Sequence, residues 1–392
     1  MPLPGITFNR GQGGLNRTAP GEDHISGLLF FSDTLPAGYT DNTVVKEYVD
    51  LSQAETDGII AGSANFGVFH YHISEFFRIN PSGKVFVRIA AVPAGAYNFI
   101  EVVDMQNFAE GKIRQFGVYV TSGGVLADIS NLQLKANQLD SEFRPANILY
   151  SGNALAGSIS IFLDLRTFDS PKVSAIIGQD GAGVGKALYD STSDVISCLG
   201  AALGAVSLSS VSESIAWVAK FDMSKLSTEL DVPMLTSGDF VKDLSPAVLD
   251  TLNDKGYVFL LRHIGLDGTY FNDSHTAEVV TSDYANIENN RTIDKAIRGI
   301  RTGLLPALNG PVKVDPDTGK LAFDTVKYFE SLASSALEQM ERDSELSGFL
   351  VSIDPSQDVL TTSNVVVDVD LVPIGVARTI TVNVGFVVSL NQ

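Results

Sequence analysis

The chain has 392 residues, 44% of them apolar, and a formal net charge of −19. That length and apolar content suffice for two or three domains, whereas the acidity argues against nucleic acid, whose phosphates require clustered Lys and Arg, and against docking on anionic membranes. A single cysteine, Cys198, rules out an internal disulfide framework and a multi-cysteine zinc site.

The start, "MPLPGITFNRG", lacks a basic segment followed by an apolar run, so no signal peptide is expected and the product reads as soluble and made in a cytoplasm. Residues 1–24 hold clustered glycines, three prolines and few apolar anchors. They are either a frayed terminus or an extended arm that docks elsewhere.

From 25 to 240, short apolar strands alternate with helices. Strands are expected at "ISGLLFFS", "KVFVRIA", "IRQFGVYV", "SISIFLDL" and "KVSAIIG". Helices are expected at "YHISEFFRIN", "NFIEVVDMQNFAEG" and "ISNLQLKANQLDSEF". Continuous apolar strands separated by helices indicate a doubly wound, largely parallel sheet covered on both faces. The Ala/Gly/Ser-rich segment 193–218 predicts closely packed helices, and its apolar run 195–208 is too short to span a membrane, which needs about 20 residues. The Pro/Gly/Ser/Asp cluster at 231–246 is the best internal boundary.

Beyond it, a buried strand is expected at 257–261, a helix over 283–308, a strand-turn-strand over 312–323 and a second helix over 325–342. Two β-rich segments, "NVVVDVDLVPIG" and "ARTITVNVGFVVSL", follow. The resulting division is an arm at 1–24, an outer α/β domain at 25–240, an α+β inner domain at 241–378 and an arm strand at 379–392.

Several stretches invite a chemical reading. "AIIGQDGAGVGKAL" leads a strand into a Gly-rich turn and Lys186. A phosphate loop needs Gly at the position of Asp180 and Ser or Thr at that of Ala187, and a carboxylate there would repel phosphate. His70 and His72 diverge on a helix and have no evident third metal ligand. "DPDTG", 315–319, lacks the later acidic ligands of a calcium loop and reads as a turn. The stretch 270–295 concentrates Asp273, His275, Glu278, Asp283 and Glu288, with His263 upstream. Without a strained nucleophile turn, polar residues that fix a loop are the simpler reading.

The helix beyond carries Arg291, Lys295, Arg298 and Arg301 on one stripe, opposite Ile293, Ile297, Ile300 and Leu304. In so acidic a chain the stripe is either a solvated face or a docking surface for an acidic partner. In "ARTITVNVGFVVSL", Ile380, Val382, Val384 and Phe386 face one way and Thr379, Thr381 and Asn383 the other. Such a strand can pair in its own domain or join a neighbour's sheet.

These motifs carry a resemblance. "GYVFLLRHIGLDGTYFNDSHT", "DYANIENNRTIDKAIRGIR", "ELSGFLVSIDPSQDVL" and "VDLVPIGVARTITVNVGF", with "FNRGQGGLNRTAPGEDHISGLLFFS" at the start, resemble the compact tail sheath proteins of contractile bacteriophages and phage-tail-like injection machines. The match is strongest from about 255 onward and less diagnostic over 40–150.

The resemblance implies a mixed α/β domain plus a discontinuous α+β inner domain with extended N- and C-terminal strand arms. It also implies that Ile6, Thr7, Phe8 and Asn9 form one exchanged strand and residues 379–388 the other, both completing sheets of adjacent copies. Further implied are stacked hexameric rings, a tail tube protein inside, and baseplate and tail terminator partners. No cofactor, catalysis, nucleic acid or membrane insertion is implied. The location would be a virion tail or phage-tail-like particle assembled in the host bacterial cytoplasm. The competing readings are a doubly wound enzyme with a small-molecule site in 25–240, and a tube or baseplate component.

Overall fold

The computed structural model describes residues 21–192, 194–225 and 227–386. The expected arm strand Ile6 to Asn9 lies outside them.

A six-stranded sheet organises the first part, in the order β2-β3-β1-β4-β5-β6. Its strands are β1 (Ile25–Phe31), β2 (Val45–Tyr48), β3 (Lys84–Ala90), β4 (Gln115–Val120), β5 (Asn147–Gly152) and β6 (Val173–Ala175). All neighbours are parallel except the edge pair β2 and β3. Interleaved are α1 (Leu51–Thr56), α2 (Gly67–Ile79), α3 (Ile100–Phe108) and α4 (Val125–Ser141).

β1 shows why the run "LLFF" is apolar throughout. Leu29 and Phe31 join one core with Val102 and Met105 of α3 and Ile129, Leu132 and Ala136 of α4. Leu28 and Phe30 join the opposite core with Phe69, Ile73 and Phe76 of α2. A strand buried on both faces loses the polar alternation of a half-exposed one. This is the mixed α/β architecture expected.

The small antiparallel pair β7 (Gly178–Asp180) and β8 (Pro233–Leu235) flanks α5 (Val184–Thr192) and α6 (Leu199–Leu208). The small residues of α6 do what their size predicts. A Cβ on Gly200 would lie 2.1 Å from the His72 carbonyl oxygen of α2, and one on Gly204 would lie 2.9 Å from the Phe76 oxygen.

After α7 (Pro246–Asp254), the chain returns to the sheet. Val258 bridges Ile176 in parallel. Tyr257 and Phe259 enter one core and Val258 and Leu260 the other. A short hairpin of β9 (Leu260–Leu261) and β10 (Tyr270–Phe271) follows. The second core also takes Phe271 and Ile287. The buried apolar residues of 257–287, a stretch expected in the inner domain, thus pack into the cores of the first part, and the packing changes near 287.

The remaining elements are α8 (Ile287–Leu304), α9 (Phe323–Arg342), β11 (Leu346–Ser352), α10 (Val359–Thr362) and β12 (Asp368–Pro373). β11 and β12 form a separate two-stranded antiparallel sheet. Ala296 of α8, Leu337 and Met340 of α9 and Leu346 of β11 make their own small core. Small residues bring α8 and α9 together: a Cβ on Gly299 would meet that of Ala336 at 2.5 Å.

Three local expectations change. Residues 158–165 form 3-10 turns, Ile159–Ile161 and Leu165–Thr167, rather than a strand; Asp164 caps the second by accepting from the Arg166 amide. The strand-turn-strand at 312–323 reduces to one bridge, Val314 to Leu321, around a turn at Asp315. The closing segment 379–386 has no strand partner among the described residues.

Candidate assembly surface

The acidic stretch that resembles a working end holds the base of the C-terminal segment. Arg378 Nε donates to both carboxylate oxygens of Asp273 at 2.9 Å. Its Nη2 reaches Glu288 in the first turn of α8 and Ser274 Oγ at 3.4 Å. Ser274 Oγ in turn donates to Glu288 Oε2 at 2.5 Å. Burial raises the Glu288 carboxyl, and the Arg378 guanidinium opposes that rise. A buried carboxylate without this cation would be strongly unfavourable.

His275 belongs to a neighbouring brace. Arg166 Nη2 donates to His275 Nδ1 at 2.9 Å, so the imidazole proton resides on Nε2, which faces Asn253 Oδ1 at 2.9 Å. Arg166 also donates to the carbonyl oxygens of Asp254 and Glu278 at 3.1 Å. Burial pushes the His275 pKa down to about 4; Asp273 pulls it up, and the Arg166 charge adds to the depression. The group stays neutral near pH 7 and fixes the loop, its ring nitrogens taken up by Arg166 and Asn253.

Helix α8 is turned opposite to expectation: its cations point inward. Arg291 is 4% exposed. It donates to Ser209 Oγ at 2.6 Å, to the Ser209 and Ser210 carbonyls at 3.2 and 3.1 Å and to the Asp23 carbonyl at 3.5 Å. Lys295 Nζ lies 2.9 Å from Asp23 Oδ2 and 2.6 Å from Glu345 Oε1. Arg298 meets Asp23 Oδ1 at 2.9 Å. Arg301 alone of the four is exposed, lying over the Phe143 ring at 4.4 Å.

The reason is local charge: the surface receiving α8 presents carboxylates and carbonyls, so the basic side is the complementary one. Ile297 is left 46% exposed on the outer side. Arg291, Lys295 and Arg298 are therefore engaged within this chain, by Asp23, Glu345 and the Ser209–Ser210 backbone.

The C-terminal segment is a run of highly exposed apolar side chains. Ile380 is 79%, Val382 73%, Val384 90% and Phe386 109% exposed. Thr379, Thr381 and Asn383 are exposed as well. The segment leaves directly after the Arg378 anchor, close in sequence to β12. Among the described residues, β11 and β12 pair only with each other, which leaves both outer edges of that sheet without a strand.

The other motifs resolve into structure. The Asp180 carboxylate accepts from the amides of Ala182 and Gly183 at 3.1 Å and Gly185 at 3.2 Å, so it occupies the nest a phosphate would need. Glu229 beside it accepts from the Val184 amide at 2.7 Å. Burial and its hydrogen bond to Asp180 push its pKa up to about 7. His70 bonds Glu55 at 2.9 Å, and His72 is fully buried, its pKa lowered to about 3 by that burial. Asp315 accepts from the Asp317 and Thr318 amides at 2.9 Å, a turn rather than a calcium loop. No group of three or more His, Cys, Asp or Glu among the described residues could hold a metal ion, and no described helix is long and apolar enough to cross a membrane.

Asp23, Glu345 and Arg378 are absent from the residues singled out by sequence. Each meets α8 across a long sequence separation, and no local pattern marks them.

The N-terminal domain of the DUF2586 family matches residues 3–275, and the C-terminal domain of that family matches 283–391. The chain belongs to the DUF2586 family. The two family domains meet where the packing changes. No curated protein matches this DUF2586 chain.

Its fold is shared with solved sheath structures. The contracted helical sheath of the anti-feeding prophage aligns with a TM-score of 0.62 at 14% identity, over 98% of this chain and 99% of that one. The contracted sheath complex of the extracellular contractile injection system PVC gives 0.62 at 12% identity, over 99% and 98%. The six-fold symmetrised baseplate of the anti-feeding prophage gives 0.59 at 14% identity, over 98% and 99%. At such identities the likeness establishes the architecture of this DUF2586 protein.

Proposed function

We propose that this protein is the structural subunit of a contractile tail sheath, a sleeve that polymerises around a tube and shortens to drive it through a target envelope. The observation that carries the reading is the segment 379–386, exposed and apolar on alternate residues, which follows in sequence a two-stranded sheet whose edges carry no strand among the described residues. The fold likeness to contracted sheaths supports it.

In the sleeve, Thr379, Ile380, Thr381, Val382, Asn383, Val384 and Phe386 add a strand to a neighbouring copy. Ile6, Thr7, Phe8 and Asn9 do the same in the opposite direction. Main-chain hydrogen bonds give affinity and the alternate apolar side chains give register. Copies stack as hexameric rings, with a tail tube protein inside and baseplate and tail terminator proteins at the ends. Arg301, the exposed member of the basic helix, remains for contact with the tube or a neighbour. Contraction is a shift between two packings of rigid subunits that stay linked by their arms, and it consumes no nucleotide. The particle is a phage tail or phage-tail-like device assembled in the host bacterial cytoplasm.

The test is deletion of residues 379–392, followed by negative-stain microscopy with tube protein. The truncated chain stays folded and forms no sleeves; normal sleeves from it would refute strand exchange.

A further inference from the structure

We infer that α8 is the common anchorage of both arms, and that Asp23 and Arg378 are the positioning residues that aim them; this rests on the sheath reading above. The geometry begins with two roots on one helix. Asp23, at the foot of the N-terminal segment, is clamped by Lys295 and Arg298 at 2.9 Å each. Burial alone would raise its carboxyl, but the Lys295 and Arg298 charges outweigh that and hold it below the usual range. Arg291 of the same helix holds the Asp23 carbonyl. Arg378, at the foot of the C-terminal segment, is clamped by Glu288 of α8 and by Asp273 of the loop that follows β10.

Residues 288 and 298 stand about 15 Å apart along the helix axis at 1.5 Å per residue. α8 is also tied to its surroundings at intermediate points. Asp294 pairs with the buried Lys172 at 2.5 Å, next to β6 of the large sheet. Lys295 grips Glu345, the residue before β11, at 2.6 Å. The helix therefore joins the foot of each arm, the large sheet and the small sheet.

Besides the path through β1 and the large sheet, α8 links the two roots directly, touching Asp23 at one end and Arg378 at the other. Both clamps use planar or multi-point ion pairs, which fix direction as well as distance. The exits of the two arms are thereby held at a set separation and angle. Adjacent copies linked through them inherit that geometry, so loosening either clamp blurs the spacing of the whole sleeve. Glu288 in the first turn of α8 meets a cation at one root, and Lys295 and Arg298 further along meet an anion at the other, which stops the arms exchanging seats.

The experiment uses the full chain. Arg378→Glu sets a carboxylate against Asp273 and Glu288; Asp23→Lys sets an ammonium against Lys295 and Arg298. Arg378→Glu leaves the buried Glu288 without its cation and Asp23 is only one-fifth exposed, so both reversals cost stability, and the milder Arg378→Lys and Asp23→Asn keep the measurement on folded protein. Hydrogen–deuterium exchange of the unassembled protein should rise at least tenfold near 374–378 for Arg378→Glu and near 21–26 for Asp23→Lys. The paired swap Asp23→Arg with Arg298→Asp should restore most of the protection. With tube protein, each reversal should give sleeves of irregular ring spacing, and the two together should be no worse than the worse single change, because the clamps act in series.

Unchanged exchange in Arg378→Glu would overturn the clamp itself, whatever the protein assembles into. Raised exchange with normal ring spacing would overturn the positioning role. Failure of the unaltered chain to form sleeves would sink the sheath reading and the positioning role with it, while exchange would still decide the clamp.

Discussion

The double change Val382→Asp with Val384→Asp separates assembly from folding. Both side chains are exposed, at 73% and 90%, and touch no core, so the isolated protein should lose less than about 0.5 kcal/mol. In an exchanged strand the balance is narrow. Burying Ile380, Val382, Val384 and Phe386 is worth about 1.5–3 kcal/mol each, or about 6–12 in all. About four main-chain hydrogen bonds to one neighbouring strand add about 4 kcal/mol. Ordering eight residues costs about 8–16 kcal/mol. At the centre of these ranges the surplus per arm is on the order of 1 kcal/mol, and removing two of the four side chains subtracts about 3–6 before carboxylate desolvation is counted. Thermal melting of the purified chain should be unchanged, while sedimentation and electron microscopy with tube protein should show no sleeves. A marked drop in melting temperature would mean that the segment packs on its own subunit; normal sleeves would mean that the apolar face contributes nothing to assembly.

Other consequences are open to simple measurement. His275 has its pKa depressed from the ordinary 6.5 to about 4, so its contribution is complete above pH 6.5 and is lost as pH falls toward 4. That loss is at most about 3 kcal/mol, and melting curves of His275→Gln should show a shallower acid limb than the unaltered chain. Glu229 has a folded pKa raised to about 7, so its burden on stability appears as pH rises through 7 and is absent below about 4.5. Glu229→Gln should therefore melt higher than the parent at pH 8 and equally at pH 4.5. Gly200→Ala should cost about 1–3 kcal/mol or more, because its Cβ would meet backbone of α2, whereas Gly348→Ala, with nothing within 4 Å, should be nearly neutral.

The doubly covered sheet was legible where strands are apolar on both faces, as in β1, β3 and β4, and the amphipathic helices α2, α8 and α9 were legible from their period. β2, "VKEY", is a short edge strand with half its side chains partly exposed, and β5 ends in Ser-Gly; neither carries a strong run. The alternation in "SISIFLDL" mimics a strand, but hydrogen bonds within the segment curl it into turns. The exposed face of 379–386 was readable because alternation alone defines it. The orientation of α8 was not. Periodicity identifies two sides of a helix but cannot say which is buried when the opposing wall is built from Asp23 and Glu345, far away in sequence. The Pro/Gly cluster at 231–246 misled for a similar reason: punctuation marks a change of direction, and only packing shows whether the chain comes back.

It does come back, and that return governs how the polypeptide can be made. Val258 completes the row begun by β2 through β6, and its flanking residues seal both cores. Until the ribosome has released that stretch, Ile176 and the buried faces around it have no cover. A recombinant fragment ending at the 231–246 cluster would be a container without its lid, prone to clump, whereas one carried past 287 would include every residue these two cores need.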